Sequence, residues 1–140
     1  CLAEGLQKEG VLHTYEIRET DANAARNHFD KSPFKNQIIS HIGDAKELLK
    51  TFSHPIDLAF IDADKTGYVE YYKLLKPLLQ TNGIIIVDNT LFHGEVLEGV
   101  AQGKSGKAIQ VFNEYLRQEN DIEITLLTIR DGITLIRKKN

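Results

Sequence analysis

The chain has 140 residues, 41% of them apolar and 26% charged, with a formal net charge of −3. That length allows one domain with a real core, and the mild acidity gives no reason to expect nucleic acid, since no Lys/Arg cluster is backed by aromatic residues. The single cysteine, Cys1, excludes an internal disulfide framework and a cysteine-based zinc site, and the apolar runs are far shorter than a membrane span. No signal peptide is visible, so a cytoplasmic location is the expectation. Methionine is absent altogether, and Cys1 to Leu6 reads like the tail of an amphipathic helix. The chain is therefore expected to be one part of something longer.

Taken in order, strand and helix alternate throughout. Gly10 closes the opening helix, and Val11 to Ile17 is the first strand. Asp21 to Asp30 reads as a helix with Asp21 as N-cap, broken by Pro33. Gln37 to Ile42 is the next strand, and Asp44 to Thr51 a short helix that stops before Pro55. An apolar run, Ile56 to Ile61, leads to Asp62; a helix-sized segment, Gly67 to Gln80, follows, then a Thr81-Asn82-Gly83 turn. The strand Ile84 to Val87 leads to Asp88-Asn89 and a glycine-bearing loop, Thr90 to Gly106. Lys107 to Glu119 has helical spacing at Ile109, Phe112 and Leu116. The strands Ile122 to Thr128 and Ile133 to Arg137 flank Arg130-Asp131-Gly132, whose Asp-Gly signals a tight turn and an antiparallel hairpin. The fold class expected is α/β, with a mostly parallel sheet finished by that hairpin, in a single domain over residues 1–140.

Two stretches carry most of the chemistry: Asp62-Ala63-Asp64-Lys65 and Asp88-Asn89. Each ends an apolar, β-branched run of the kind buried on both faces of a parallel sheet. In a strand–helix–strand unit the two carboxyl ends lie side by side, about 5 Å apart. Asp62, Asp88 and Asn89 thus converge on the edge where open α/β sheets bind ligands. Two carboxylates and a carboxamide oxygen suit Mg²⁺ or Ca²⁺ better than a soft metal. Asp62 as a plain helix cap is the simpler alternative, weakened because Asp88 repeats the arrangement next door.

Phe60 to Lys65, then Gly83 to Gly94, then Asp131 to Leu135 resemble the metal-dependent O-methyltransferases of the caffeoyl-CoA and catechol type, which use S-adenosylmethionine (SAM). The resemblance runs over essentially the whole chain. It implies a Rossmann-like seven-stranded sheet whose first strand and glycine-rich turn, with N-terminal helices, precede Cys1. That strand sits between those ending at Ile17 and Asp62. It implies a homodimer and a small aromatic acceptor bearing a vicinal diol, with no nucleic acid and no membrane.

The resemblance assigns the metal to Asp62, Asp88 and Asn89, and the cofactor to Glu16, Asp44, Ala45 and Asp62. Glu16 ends a strand, where an acid accepts hydrogen bonds from ribose hydroxyls; by position alone it is equally a solvated surface acid. Asp44 simply capping the next helix is compatible with lying beside adenine. Lys65 is placed as the catalytic residue. A lysine beside a divalent cation is disfavoured as ammonium, which suits a general base taking a proton from the acceptor. Most loop lysines are merely solvated. Phe92 and His93 lie in the loop near the acceptor, His93 reading more simply as an ordinary loop histidine. Tyr68, Tyr71 and Tyr72 are expected to pack their helix or serve a subunit interface, and Asp64 has no assigned role. A nicotinamide-dependent oxidoreductase and a non-catalytic fragment keeping the fold are the alternatives.

Overall fold

The computed structural model describes residues 1–97 and 99–139. Their contacts divide into two compact units, Cys1–Thr51 and Phe52–Asn140.

The first unit is a parallel strand pair, β1 (Leu12–Glu16) and β2 (Ile38–Ile42), joined through α1 (Glu19–Phe29), which packs on both. β2 leads into the short α2 (Ala45–Leu49). Asp44 is its N-cap and accepts from the Lys46 N–H at 2.8 Å, as its position predicted. Two expectations are corrected here. The opening segment is a single 3₁₀ turn, Leu2–Gly5, so Gly10 closes no helix. Helix α1 starts at Glu19 with Arg18 as N-cap, which places Asp21 in the first turn. There Asp21 binds the Arg18 guanidinium at 2.5 Å, and its charge complements the helix N-terminus.

The second unit is a four-stranded sheet in the order β3-β4-β6-β5, comprising β3 (Ile56–Ile61), β4 (Leu79–Asp88), β5 (Ile122–Leu127) and β6 (Ile133–Lys138). β3 and β4 are parallel, whereas β4–β6 and β6–β5 are antiparallel, as the hairpin signal predicted. The hairpin connection is five residues, 128–132, with Arg130 and Gly132 at positive φ. Where a turn is expected at Thr81-Asn82-Gly83, the structure instead continues β4, with Asn82 alone at positive φ. Ile56 pairs with Leu79 and Leu58 with Ile84, so the extra β4 residues bulge outward around Asn82 at φ 63°.

The expectation that both central strands are buried on both faces is also corrected. Among the described residues β3 has one hydrogen-bonded neighbour, and its Leu58 and Phe60 are 46% and 49% exposed. β4, which is flanked on both sides, fully buries Ile85 and Val87.

Two helices complete the unit. In α3 (Tyr68–Leu75), Tyr68, Tyr71, Tyr72 and Leu75 fall on one stripe at helical spacing and are buried. In α4 (Lys104–Arg117), Ile109, Phe112 and Leu116 do the same. The Phe112 ring meets Tyr68 and Tyr72 edge-on, at centroid distances of 5.6 and 6.4 Å, which joins the two helices. α4 begins three residues before the expected Lys107 because Gly106 lies inside its first turn, where a Cβ would collide with the Glu95 carboxylate.

Behind the helices, Lys76 holds Glu119 and, at 2.7 Å, Asp121, and the Tyr72 hydroxyl donates to Glu119 at 3.1 Å. Hydrogen bonds from Lys76 hold both carboxylates below their ordinary range. Burial opposes the Lys76 ammonium, but hydrogen bonds to Asp121 and Glu119 outweigh it and raise its pKa. The carboxylate contribution is present above the unfolded values of about 3.9 and 4.3 and lost as pH falls through the lower folded ones. The lysine contribution is complete below about 10.4 and lost only as pH climbs through its raised value. Thermal melts should therefore show the parent losing stability below about pH 4 more steeply than Lys76→Met. Parallel Tm–pH curves for the two proteins would contradict this.

Candidate active site

Parallel pairing of Ile61 with Val87 brings the next residues, Asp62 and Asp88, to adjacent strand ends. Beyond Asp62 the chain forms a 3₁₀ turn, Lys65–Gly67, which runs directly into α3. That turn aims Lys65 back over the strand ends. Its Nζ donates to Asp62 Oδ1 at 3.0 Å, Asn89 Oδ1 at 2.7 Å and Tyr68 Oη at 2.6 Å. The lysine side chain is 16% exposed, whereas Asp62 is 49% exposed, so the cluster is open at the Asp62 side. Asp62 caps no helix; its carboxylate serves Lys65.

Asp64 is the N-cap of the turn. Its carboxylate accepts from the Tyr71 hydroxyl at 2.6 Å and the Thr66 hydroxyl at 2.8 Å. This gives Asp64 a structural role that the sequence left unassigned. Gly67 has to be small there, since a Cβ would come within 2.6 Å of the Tyr71 ring.

Asn89 reaches the lysine because its backbone is left-handed, φ 57°, a region that asparagine tolerates better than other side-chain-bearing residues. Asp88 Oδ1 accepts from the Asn89 N–H at 2.7 Å. The structure thus joins Asp62, Asn89 and Lys65 directly, while Asp88 turns one oxygen to the neighbouring backbone. Among the described residues no three His, Cys, Asp or Glu side chains gather as a metal group. The candidate donors are two carboxylates and a carboxamide. Asp62 and Asn89 already share one cationic centre, the Lys65 ammonium, and this all-oxygen chemistry fits a hard cation.

Tyr68 is the residue that sequence reasoning missed in this role. Its helical spacing correctly marked it for packing, and its ring is fully buried, but its hydroxyl also binds Lys65 and donates to the Asp88 carbonyl at 3.1 Å. Burial, then the charges of Asp62, Asp88 and Asp64, push its pKa up, so it stays a neutral hydroxyl. A tyrosine six residues beyond a strand-end acid, on the buried stripe, was the available signal.

In the first unit, Glu16 ends β1 and the Gly43 N–H donates to its carbonyl at 3.0 Å, so the ends of β1 and β2 adjoin. Glu16 Oε1 accepts from the Arg18 N–H at 2.8 Å. His93 is 76% exposed, with Nδ1 3.8 Å from Asp131 Oδ1, in keeping with an ordinary loop histidine.

The O-methyltransferase family model matches residues 1–139. The chain belongs to the O-methyltransferase family. It is 31% identical over 140 residues to caffeoyl-CoA O-methyltransferase 2 of Populus trichocarpa, covering 95% of this chain and 49% of that protein. It is 44% identical over 85 residues to a probable caffeoyl-CoA O-methyltransferase of Dictyostelium discoideum, covering 60% of this chain and 37% of that one. The crystal structure of an O-methyltransferase from Bacillus cereus in complex with SAH superposes with a TM-score of 0.91 at 27% identity, covering 99% of this chain and 67% of that one. The chain therefore spans about a third to a half of the curated relatives cited. The match is to the O-methyltransferase family that the motifs resemble, and a non-catalytic fragment keeping that fold would match it as well. The α/β methyltransferase fold, mostly parallel with antiparallel strands at the C-terminal end, agrees with the expectation.

Tyr68→Phe, which removes only the hydroxyl, should lower stability by about 1–3 kcal/mol, because it leaves the Asp88 carbonyl and Lys65 each short of a partner. Urea unfolding reads this directly, and an unchanged midpoint would reduce Tyr68 to packing.

Proposed function

We propose that the protein is a SAM-dependent O-methyltransferase that requires a divalent cation and acts on an aromatic small molecule bearing a vicinal diol. The observation that carries the reading is the convergence of Asp62 Oδ1 and Asn89 Oδ1 on Lys65 Nζ at adjacent strand ends. Support for the cofactor comes from family membership and from the SAH complex of the Bacillus cereus relative.

Asp62, Asp88 and Asn89 would hold a Mg²⁺ or Ca²⁺ ion through oxygen. When bound, the cation supplies Lewis-acid polarisation of the acceptor hydroxyl, and SAM supplies the methyl group. Lys65, as the neutral amine, would take the hydroxyl proton at Nζ. Tyr68 fixes where that nitrogen sits, so that the proton leaves in one direction and orientation contributes to the rate. Glu16 accepts hydrogen bonds from the ribose, and Asp44 and Ala45 lie beside the adenine. Asp44 keeps one oxygen on the Lys46 N–H while doing so. A second copy of the chain is the proposed partner. A groove in which Leu97 and Leu126, 78% and 47% exposed, stand beside polar Gln110, Asn113, Glu114 and Arg117 supports it.

Excess chelator should abolish transfer to a catechol, and Asp88→Ala should remove divalent-ion binding. Full activity in chelator would overturn the cation requirement. Lys65→Met should lower kcat by about 10²–10⁴-fold, the usual contribution of a positioned acid–base group, with SAM affinity retained. A change confined to KM would make Lys65 a substrate-binding charge. Glu16→Ala should weaken SAM binding by about 1–3 kcal/mol, and unchanged calorimetric affinity would make it a surface acid.

A further inference from the structure

The residue after Asn89 is held more completely than its position in a loop requires. Thr90 is 1% exposed, and each of its polar groups is bound. Its N–H donates to the Gly132 carbonyl at 3.0 Å. Its carbonyl accepts from Asn113 Nδ2 on α4 at 2.9 Å. Its hydroxyl accepts from the Thr134 hydroxyl on β6 at 2.9 Å, and Thr134 is itself 4% exposed. The Leu91 N–H then donates to the Asp131 carbonyl at 2.9 Å.

Three separate elements thus grip one residue: the hairpin turn, β6 and α4. The turn comes close enough for this because Gly132 sits at φ 84° and has no Cβ; one would lie 2.5 Å from Leu91 Cγ and 2.7 Å from its nitrogen. On the other side of Asn89, Asp88 holds the Asn89 N–H. The left-handed backbone of Asn89, a conformation that an isolated chain rarely adopts, is fixed from both ends.

We infer that Thr90, Thr134 and Asn113 form a clamp that positions the Asn89 carboxamide toward Asp62 and Lys65. They are positioning residues for the proposed cation site, and the inference rests on that reading. Among the described residues, no hydrogen bond joins them to Lys65 or Asp62. They act by fixing the backbone from which Asn89 projects. A buried threonine pair that merely fills the core would stabilise the fold without setting the conformation of Asn89.

The test uses Thr134→Val, which keeps the shape and removes the hydroxyl; Thr134→Ser, which keeps the hydroxyl; and Asn113→Ala. Mn²⁺ affinity is read by electron paramagnetic resonance titration, the φ of Asn89 by its three-bond amide–Hα coupling, and folding by Tm. Thr134→Val and Asn113→Ala should each weaken Mn²⁺ binding about tenfold, the weight of one hydrogen bond, and shift the Asn89 coupling. Thr134→Ser should restore both. If Thr134→Val fails to fold, Asn113→Ala decides alone. Parent-like Mn²⁺ affinity and coupling, with a lowered Tm, would show that the three residues only fill the core and would overturn the clamp. A parent protein that binds no Mn²⁺ overturns the cation reading instead, and the Asn89 coupling alone then decides the clamp.

Discussion

The site depends on one constraint: the parallel pairing of β3 with β4, in which Ile61 faces Val87. Parallel strands end on the same side, so this register alone puts Asp62 beside Asp88 with no loop needed to bring them together. A slip of one residue would turn either acid to the opposite face of the sheet. The irregular pairing lies at the far end of the strands. There Leu79 pairs with Ile56, and the bulge around Asn82 takes up the extra residues of β4 before pairing resumes at Ile84. Irregularity is thus confined to the end away from the chemistry.

Much of this was legible in the sequence because it follows from local rules. The Ile56 to Ile61 and Ile84 to Val87 runs announce strands, and the helix-sized spacing between them announces a parallel crossover. Both then deliver Asp62 and Asp88 to one edge. The hairpin around Asp131-Gly132 and the buried stripe of α4 were equally readable. What remained hidden depends on neighbours in space. β3 and β4 have the same apolar character, yet among the described residues β4 is flanked on both sides and β3 on one, so exposure of Leu58 and Phe60 could not be read from their own residues. The start of α4 was misplaced because Gly106 reads as a breaker. In the structure it is a contact residue, required where the Glu95 carboxylate packs against the first turn. A helix N-terminus favours such a negative charge, even though Glu95 Oε2 has no hydrogen-bond partner among the described residues.

The same distinction explains the hydroxyls. Tyr68 sits where an apolar residue would fill the volume, and helix periodicity marks it as buried; Thr90 follows the end of β4 in a loop and carries no such mark. Periodicity reports burial and says nothing of what a buried oxygen touches. A buried hydroxyl without a partner is costly, so its presence at such a position implies a partner, but not which one. For Tyr68 the partners are Lys65 and the Asp88 carbonyl; for Thr90 the hydroxyl partner is Thr134.

Asp62 and Asp64 show how far spacing can decide a role. Two positions apart, on either side of the bend at Ala63, they meet different surroundings. Asp64 accepts from the Thr66 and Tyr71 hydroxyls and is the N-cap residue of the turn that follows. Asp62 receives a charge, the Lys65 ammonium, and stays half exposed. A carboxylate satisfied by neutral donors is a scaffold element, since nothing further has to approach it. A carboxylate that shares the Lys65 ammonium with a carboxamide and still faces solvent stays open on one side. The two acids are identical in kind, and the division of labour between them is set by the turn that follows Asp64: it swings Lys65 toward Asp62 and Tyr71 toward Asp64.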